Sequence, residues 1–246
     1  MSKKSTKLLD VIVIGAGASG MMAAITAARR GKSVAILERM NKPGKKILAT
    51  GNGKCNFTNN NMDTSRFHGN IQLIQSVLDR FSKEDTLSFF HEIGIWPKEK
   101  NGYYYPNSGQ AASVVEALNH ELNRLHVPVY LEQEVLDLFP DKYGFRIKTV
   151  QTSYTCRNVI VASGLLAASK LGSDGSMFSV IKELGHRFVP VLPALCGFYA
   201  KGIQFSKVAG VRCGANLTLK IDGDTATTEH GELQLTDYGI SGIPVF

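Results

Sequence analysis

Val11 to Ile14 are apolar without a break, and a glycine follows at once. A short apolar run bounded this way reads as a strand buried on both faces of a parallel sheet. Met21, Ala24, Ile25 and Ala28 then recur at helical spacing. Arg29 and Arg30 fall in the last turn, where cations complement the helix dipole, and Gly31 ends the helix. "SVAIL" supplies a second strand, with Glu38 at its end. In "IQLIQSVLDRF" the residues Ile71, Ile74, Leu78 and Phe81 share one face, which predicts a core-facing helix. Ser82, with Asp85 three residues on, predicts the cap of another helix that Gly94 closes. A turn-rich loop, "NGYYYPNSG", leads to a helix with Val114, Val115, Leu118, Leu122 and Leu125 inward.

The period then changes from helical to alternating. "VPVYLEQEVLDLF" predicts a strand and "DKYG" a hairpin turn. "FRIKTV" and "SYTCR" complete a three-stranded meander, and "NVIVASG" returns as a buried apolar strand.

The turn after the first strand contains the chemistry. Gly15, Ala16, Gly17, Ala18, Ser19 and Gly20 form G-x-G-x-x-G. The first glycine permits a tight turn, the second lets backbone approach a pyrophosphate, and the third lets helix pack close to strand. The string follows a strand, opens a helix, and has an acid at the end of the next strand, which is the context that gives the motif weight. Glu38 is expected to accept hydrogen bonds from a ribose diol and to disfavour a 2′-phosphate, so the ligand is FAD or NAD rather than NADP. Arg39 is expected at the surface or beside the adenosine.

A simple NAD domain would continue as strand, helix, strand. Here "RMNKPGKKILATGNGKCNFTNNNMD" intervenes, a long connection rich in Gly, Lys and Asn, and long loops in compact domains are usually functional. A Rossmann half, a helical excursion, a meander and a returning strand ending in Ala162-Ser163-Gly164 is the layout of glutathione-reductase-like FAD domains. That order favours FAD. It places Glu134 and Val135 near the adenine and Ala162, Ser163 and Gly164 near the pyrophosphate.

Charge supports a phosphate-bearing ligand. The net charge is +7; residues 1–54 contain eleven Lys and Arg against two Asp and Glu, and the rest seventeen against nineteen. A solvated basic tail accounts for part of that excess. No interleaving of aromatic and basic residues supports nucleic-acid binding, which is therefore not expected. Hydrophobic residues make up 43% and charged residues 20%, as in an ordinary globular protein. No apolar run reaches membrane-spanning length and no signal-peptide core follows "MSKKSTKLL", so a cytoplasmic location is expected. The four cysteines are widely spaced, as free thiols are in a reducing compartment.

The motifs "VIVIGAGASGMMAA", "PGKKILATGNGKCNFTN", "YYYPNSGQAASVV", "NVIVASG…LGSDGS", "LPAL" and "GELQLTDYGISG" run along nearly the whole chain. They resemble the BaiN/RdsA (YhiN-like, aminoacetone oxidase) family of NAD(P)/FAD-dependent oxidoreductases. The resemblance implies an α/β fold: a glutathione-reductase-like FAD-binding Rossmann domain with a β-meander over residues 1–192, and an inserted β-rich domain begun at 193–246. It implies that Lys46, Gly51, Gly53, Lys54, Cys55 and Asn56 line the flavin site. Leu165 stands where the family has a second glycine, so local backbone freedom is reduced there. The family's closing G-[DE]-x-x-D-x-x-G-x-x-G-G segment is not reached before "GISGIPVF", so the chain is expected to be C-terminally truncated.

Cys55 could be a redox thiol, a metal ligand, a nucleophile or a small packed residue. It lacks a nearby partner cysteine and ligands at metal spacing. Lys45, Lys46 and Lys54 would lower its pKa if it were a nucleophile. The packed reading is favoured, with the chemistry left to the flavin. Lys54 or Lys46 is a candidate cation for the reduced flavin's N1–C2=O edge. Tyr103, Tyr104, Tyr105 and His68 are possible substrate-side residues, and no catalytic acid/base pair is legible. With no second G-x-G-x-x-G, NAD(P)H is expected only as a transient co-substrate. The leading expectation is an FAD-dependent oxidoreductase acting on a small molecule. An FAD-binding protein of RNA modification and a non-catalytic fragment are the alternatives.

Overall fold

The computed structural model of the chain describes residues 8–201 and 204–246. The basic start of the chain, residues 1–7, lies outside them. The chain divides into two compact units, 1–187 and 188–246.

The first unit runs β1 (Leu9–Ile14), α1 (Ala18–Arg29), β2 (Val34–Leu37), α2 (Lys45–Ala49), β3 (Thr58–Asn59), α3 (Ile71–Leu78), α4 (Lys83–Glu92), β4 (Pro97–Lys100), β5 (Tyr103–Pro106), α5 (Ala111–Arg124), β6 (Val129–Tyr130), β7 (Val135–Asp141), β8 (Gly144–Thr149), β9 (Ser153–Val161) and α6 (Met177–Glu183). Its main sheet has the order β6-β2-β1-β9-β8-β7. β6, β2, β1 and β9 are mutually parallel, and β7, β8 and β9 are antiparallel neighbours.

β1 explains the layering. Its side chains alternate between faces, and both faces are buried. Val11 and Val13 join Met21, Ala24 and Ile25 of α1 and Val114, Leu118 and Leu122 of α5 in one core. Ile12 and Ile14 join Leu138 of β7, Ile147 of β8 and Met177 and Val180 of α6 in the other. The parallel sheet is thus sandwiched between helices and a meander. This is the Rossmann-like α/β arrangement expected from the sequence.

Three local expectations change. "SYTCR" and "NVIVASG" are one strand: the start of β9 pairs with β8 and its remainder with β1. Its returning half is only partly buried, with Ile160 exposed. "VPVYLEQEVLDLF" is two strands, β6 beside β2 and β7 beside β8, because the chain crosses from one edge of the six-stranded sheet to the other between them. "NGYYYPNSG" is not all loop: β4 and β5 form a hairpin that β3 extends to three strands.

A fourth correction concerns α3. It forms, with Asn70 capping the Leu73 N–H, but it buries no residue. Ile71, Leu73 and Val77 are 46, 62 and 56% exposed, and Phe81 beyond it is also exposed. Its apolar stripe shows that a helix forms; what covers the stripe is a tertiary matter. α4 is as predicted, with a full capping box between Ser82 and Asp85.

The second unit contains a four-stranded antiparallel sheet, ordered β10 (Phe198–Tyr199), β13 (Gly239–Gly242), β12 (Asp224–Leu235) and β11 (Arg212–Ile221). β11 and β12 are a long hairpin turned at Asp222-Gly223, both with positive φ, as a two-residue type I′ turn requires.

Candidate functional site

The carboxyl ends of β1, β2 and β9 meet at a cleft of about 390 Å³. The fingerprint glycines build its floor. A Cβ on Gly20 would sit 1.9 Å from the Gly15 carbonyl oxygen, and one on Gly15, which has φ +102°, would sit 2.6 Å from that of Ala162. Both positions therefore exclude a side chain, and the helix, the turn and the end of β9 close on one another. Gly17 differs. A Cβ there would meet no protein atom within 4 Å, so packing does not demand this glycine. It is the N-cap of α1, no side chain caps the helix, and no acid stands in its first turn. The positive end of a helix dipole thus opens onto the cleft beside bare backbone, a setting for a phosphate.

Glu38 is almost fully buried at the end of β2. The Ala16 N–H donates to its Oε2 (2.6 Å) and the Met40 N–H to its Oε1 (2.8 Å). The carboxylate is fixed by backbone on both sides, and each oxygen keeps a further lone pair for a hydroxyl donor.

Arg39 lines the cleft, and its guanidinium Nη1 donates to Asp174 Oδ2 at 2.7 Å. That bond, with the amide of Ser176 adding to it, holds the Asp174 carboxyl down at about 2. Lys46 also lines the cleft; its ammonium donates to the Ala167 carbonyl (2.6 Å) and to the Ser173 hydroxyl (2.5 Å).

The structure brings Gly15, Ala16, Gly17, Ala18, Ser19, Glu38, Arg39, Lys46, Val135, Ala162, Ser163 and Gly164 around this one cleft. Gly20 lies just behind it. Gly51, Gly53, Lys54, Cys55 and Asn56 do not line it, although Thr50, immediately before them, does. Gly51, Asn52, Gly53 and Cys55 all have positive φ, and a Cβ on Gly51 would meet the Asn56 nitrogen at 2.7 Å. The loop is coiled tightly on itself, with residues 51–54 exposed. Cys55 points the other way, into the helix-side core, and burial pushes its thiol above the ordinary range. That environment opposes a thiolate nucleophile. Leu165 is exposed and does not take the left-handed conformation; Gly164, at φ +81°, takes it.

The wall made by Leu171, Gly172, Ser173 and Ser176 had no residue assigned from sequence. The string "LGSDGS" was its only trace. No group of three or more His, Cys, Asp or Glu among the described residues is placed to hold a metal ion, and no described helix is long and apolar enough to cross a membrane.

A family model described as HI0933-like protein Rossmann domain matches residues 9–239. The chain belongs to this HI0933-like family. That agrees with the resemblance read from its motif strings. Within similar proteins, a 3-dehydro-bile acid delta(4,6)-reductase of Clostridium scindens is 44% identical over 237 residues, 95% of this chain and 58% of that protein. A ribosomal RNA dihydrouridine synthase of Haemophilus influenzae is 30% identical over 94% of this chain and 58% of its own length. The chain thus spans a little over half of these relatives. Among solved structures, the open conformation of a flavocytochrome c3 fumarate reductase superposes with a TM-score of 0.58 at 15% identity, over 73% of this chain and 41% of that one. At that identity the likeness shows that the HI0933-like chain shares the fold.

Proposed function

We propose that the chain is the FAD-binding portion of a flavin-dependent oxidoreductase that acts on a small molecule, with NAD(P)H as a transient electron donor. The observation that carries this reading is the cleft at Gly17, open at a helix N-terminus, with the buried Glu38 carboxylate held opposite by two backbone amides. The meander, in place of a second strand-helix-strand half, favours FAD over NAD.

The residues present fit that group. Gly17, Ala18 and Ser19 would face the pyrophosphate, together with Ala162, Ser163 and Gly164. Glu38 would hold the ribose diol, and Val135 would offer backbone to the adenine. The Gly51–Asn56 loop, anchored by buried Cys55, would meet the flavin end with Lys54. FAD, when bound, supplies hydride transfer. The names of the relatives, a delta(4,6)-reductase and a dihydrouridine synthase, both describe adding hydrogen to an unsaturated substrate, which supports a reductase. Purified protein should show flavin absorption in the visible range. A chain with no flavin bands that takes up none from added FAD contradicts the reading.

A second reading, an RNA substrate, has one observation in its favour: two relatives, 30 and 28% identical, are named as ribosomal RNA dihydrouridine synthases. It predicts salt-sensitive RNA binding. The absence of any gel shift at low salt removes it.

A further inference from the structure

The geometry points to Asp174 as a positioning residue for the dinucleotide, acting through Arg39 from outside the cleft; this inference rests on the FAD reading above. Arg39 and Lys46 are the two cleft cations that the sequence assigned to the cofactor. Both reach across to residues 167–174, the segment that forms the opposite wall. Lys46 ties down Ala167 and Ser173, and Arg39 ties down Asp174.

The segment needs holding. Residues 164–170 are exposed. Its approach to the cleft floor is close. A Cβ on Gly164 would meet the Ser173 hydroxyl at 2.2 Å, and one on Gly172 would meet the Met40 Cγ at 3.3 Å. The wall thus depends on bare glycine backbone packed close against the Ser173 and Met40 side chains. Asp174 supplies the pin. One carboxylate oxygen takes the Arg39 guanidinium (2.7 Å) and the other the Ser176 amide (3.1 Å), where α6 begins. Asp174 itself does not line the cleft, so its effect on a bound dinucleotide passes through the wall and through the orientation of Arg39. A guanidinium held this way has one donor committed to the wall, and a charge-assisted bond is stronger than a neutral one.

The test is FAD release from the 246-residue chain, followed by the recovery of free flavin fluorescence, in wild type, Asp174→Asn, Asp174→Glu, Arg39→Gln and the Arg39→Gln/Asp174→Asn double variant. Asparagine keeps an acceptor for Ser176 and loses the ion pair. FAD should leave Asp174→Asn about threefold to tenfold faster. The double variant should be no faster than either single one, and Asp174→Glu should recover most of the loss. Hydrogen exchange over 164–176 in the FAD-free chain should quicken in Asp174→Asn alone among these two acidic-site variants. Unchanged or slower FAD release in Asp174→Asn, with Arg39→Gln still fast, would mean that Arg39 acts on the cofactor directly and would overturn the inference while leaving the FAD reading intact. A wild-type chain that binds no FAD removes both.

Discussion

Cys55 shows how a single residue's surroundings decide its chemistry. Beside three lysines in sequence it suggests an activated thiol. In the fold it is buried with Met21, Ile47 and Val115, and burial raises its pKa. Cys55→Ser should retain FAD, with stability lowered by about 1 kcal/mol for the buried hydroxyl; loss of FAD from that variant would show the thiol to be part of the site. Alkylation of Cys55 at neutral pH should be much slower than that of exposed Cys196 or Cys213, as mass mapping after brief iodoacetamide treatment would reveal. Glu38 is the opposite case: its place beside the glycine turn was legible because the acid, the strand end and the spacing are all local. Glu38→Gln should weaken FAD by roughly tenfold to a hundredfold, the worth of a charge-assisted hydrogen bond, measured by titration.

Asp174 adds a pH dependence at the same scale. Its folded pKa is depressed, from an ordinary 3.8 to about 2, chiefly by Arg39. Its contribution to stability is therefore complete above about pH 4 and is lost as the pH falls through about 2. The side chain is 37% exposed, so solvent screening limits the effect to about 1 kcal/mol at most. Acid unfolding of Asp174→Asn should lack this component, leaving a shallower fall in stability between pH 4 and 2 than wild type.

At the scale of elements, the glycine turn and the meander are what make the cleft. Gly20→Ala should prevent close contact of α1 with the Gly15 turn and abolish FAD binding. Ile147, fully buried between meander and sheet, tests the layering. Ile147→Ala should cost about 2–5 kcal/mol of stability, read from denaturant unfolding, and a cost below 1 kcal/mol would contradict a packed interface there. The first strand, α1, the capping box of α4 and the "DKYG" hairpin were readable because each is fixed by neighbours a few residues away. β9 was not: a strand that changes partners midway leaves no mark in its own periodicity. α3 misled for a related reason, since an apolar stripe specifies a face and not its partner. The 171–176 wall was missed because its place depends on Arg39 and Lys46, more than a hundred residues earlier.

For the whole molecule, sequence order carried more than any single motif. Strand, glycine turn, helix, acid-ended strand, helical excursion, meander and returning strand together specify a Rossmann-like domain, and the family match over residues 9–239 agrees. The chain covers 58% of its bile-acid reductase and dihydrouridine synthase relatives. The central claim is that the first unit's cleft holds FAD. Thermal melting of the 246-residue chain against increasing FAD, with NAD as the parallel titrant, addresses it most directly. At a hundred times the dissociation constant, a ligand of the folded state adds about 2.7 kcal/mol. FAD should raise the melting temperature by several degrees and NAD by much less; no shift with FAD, or a larger one with NAD, would contradict the account.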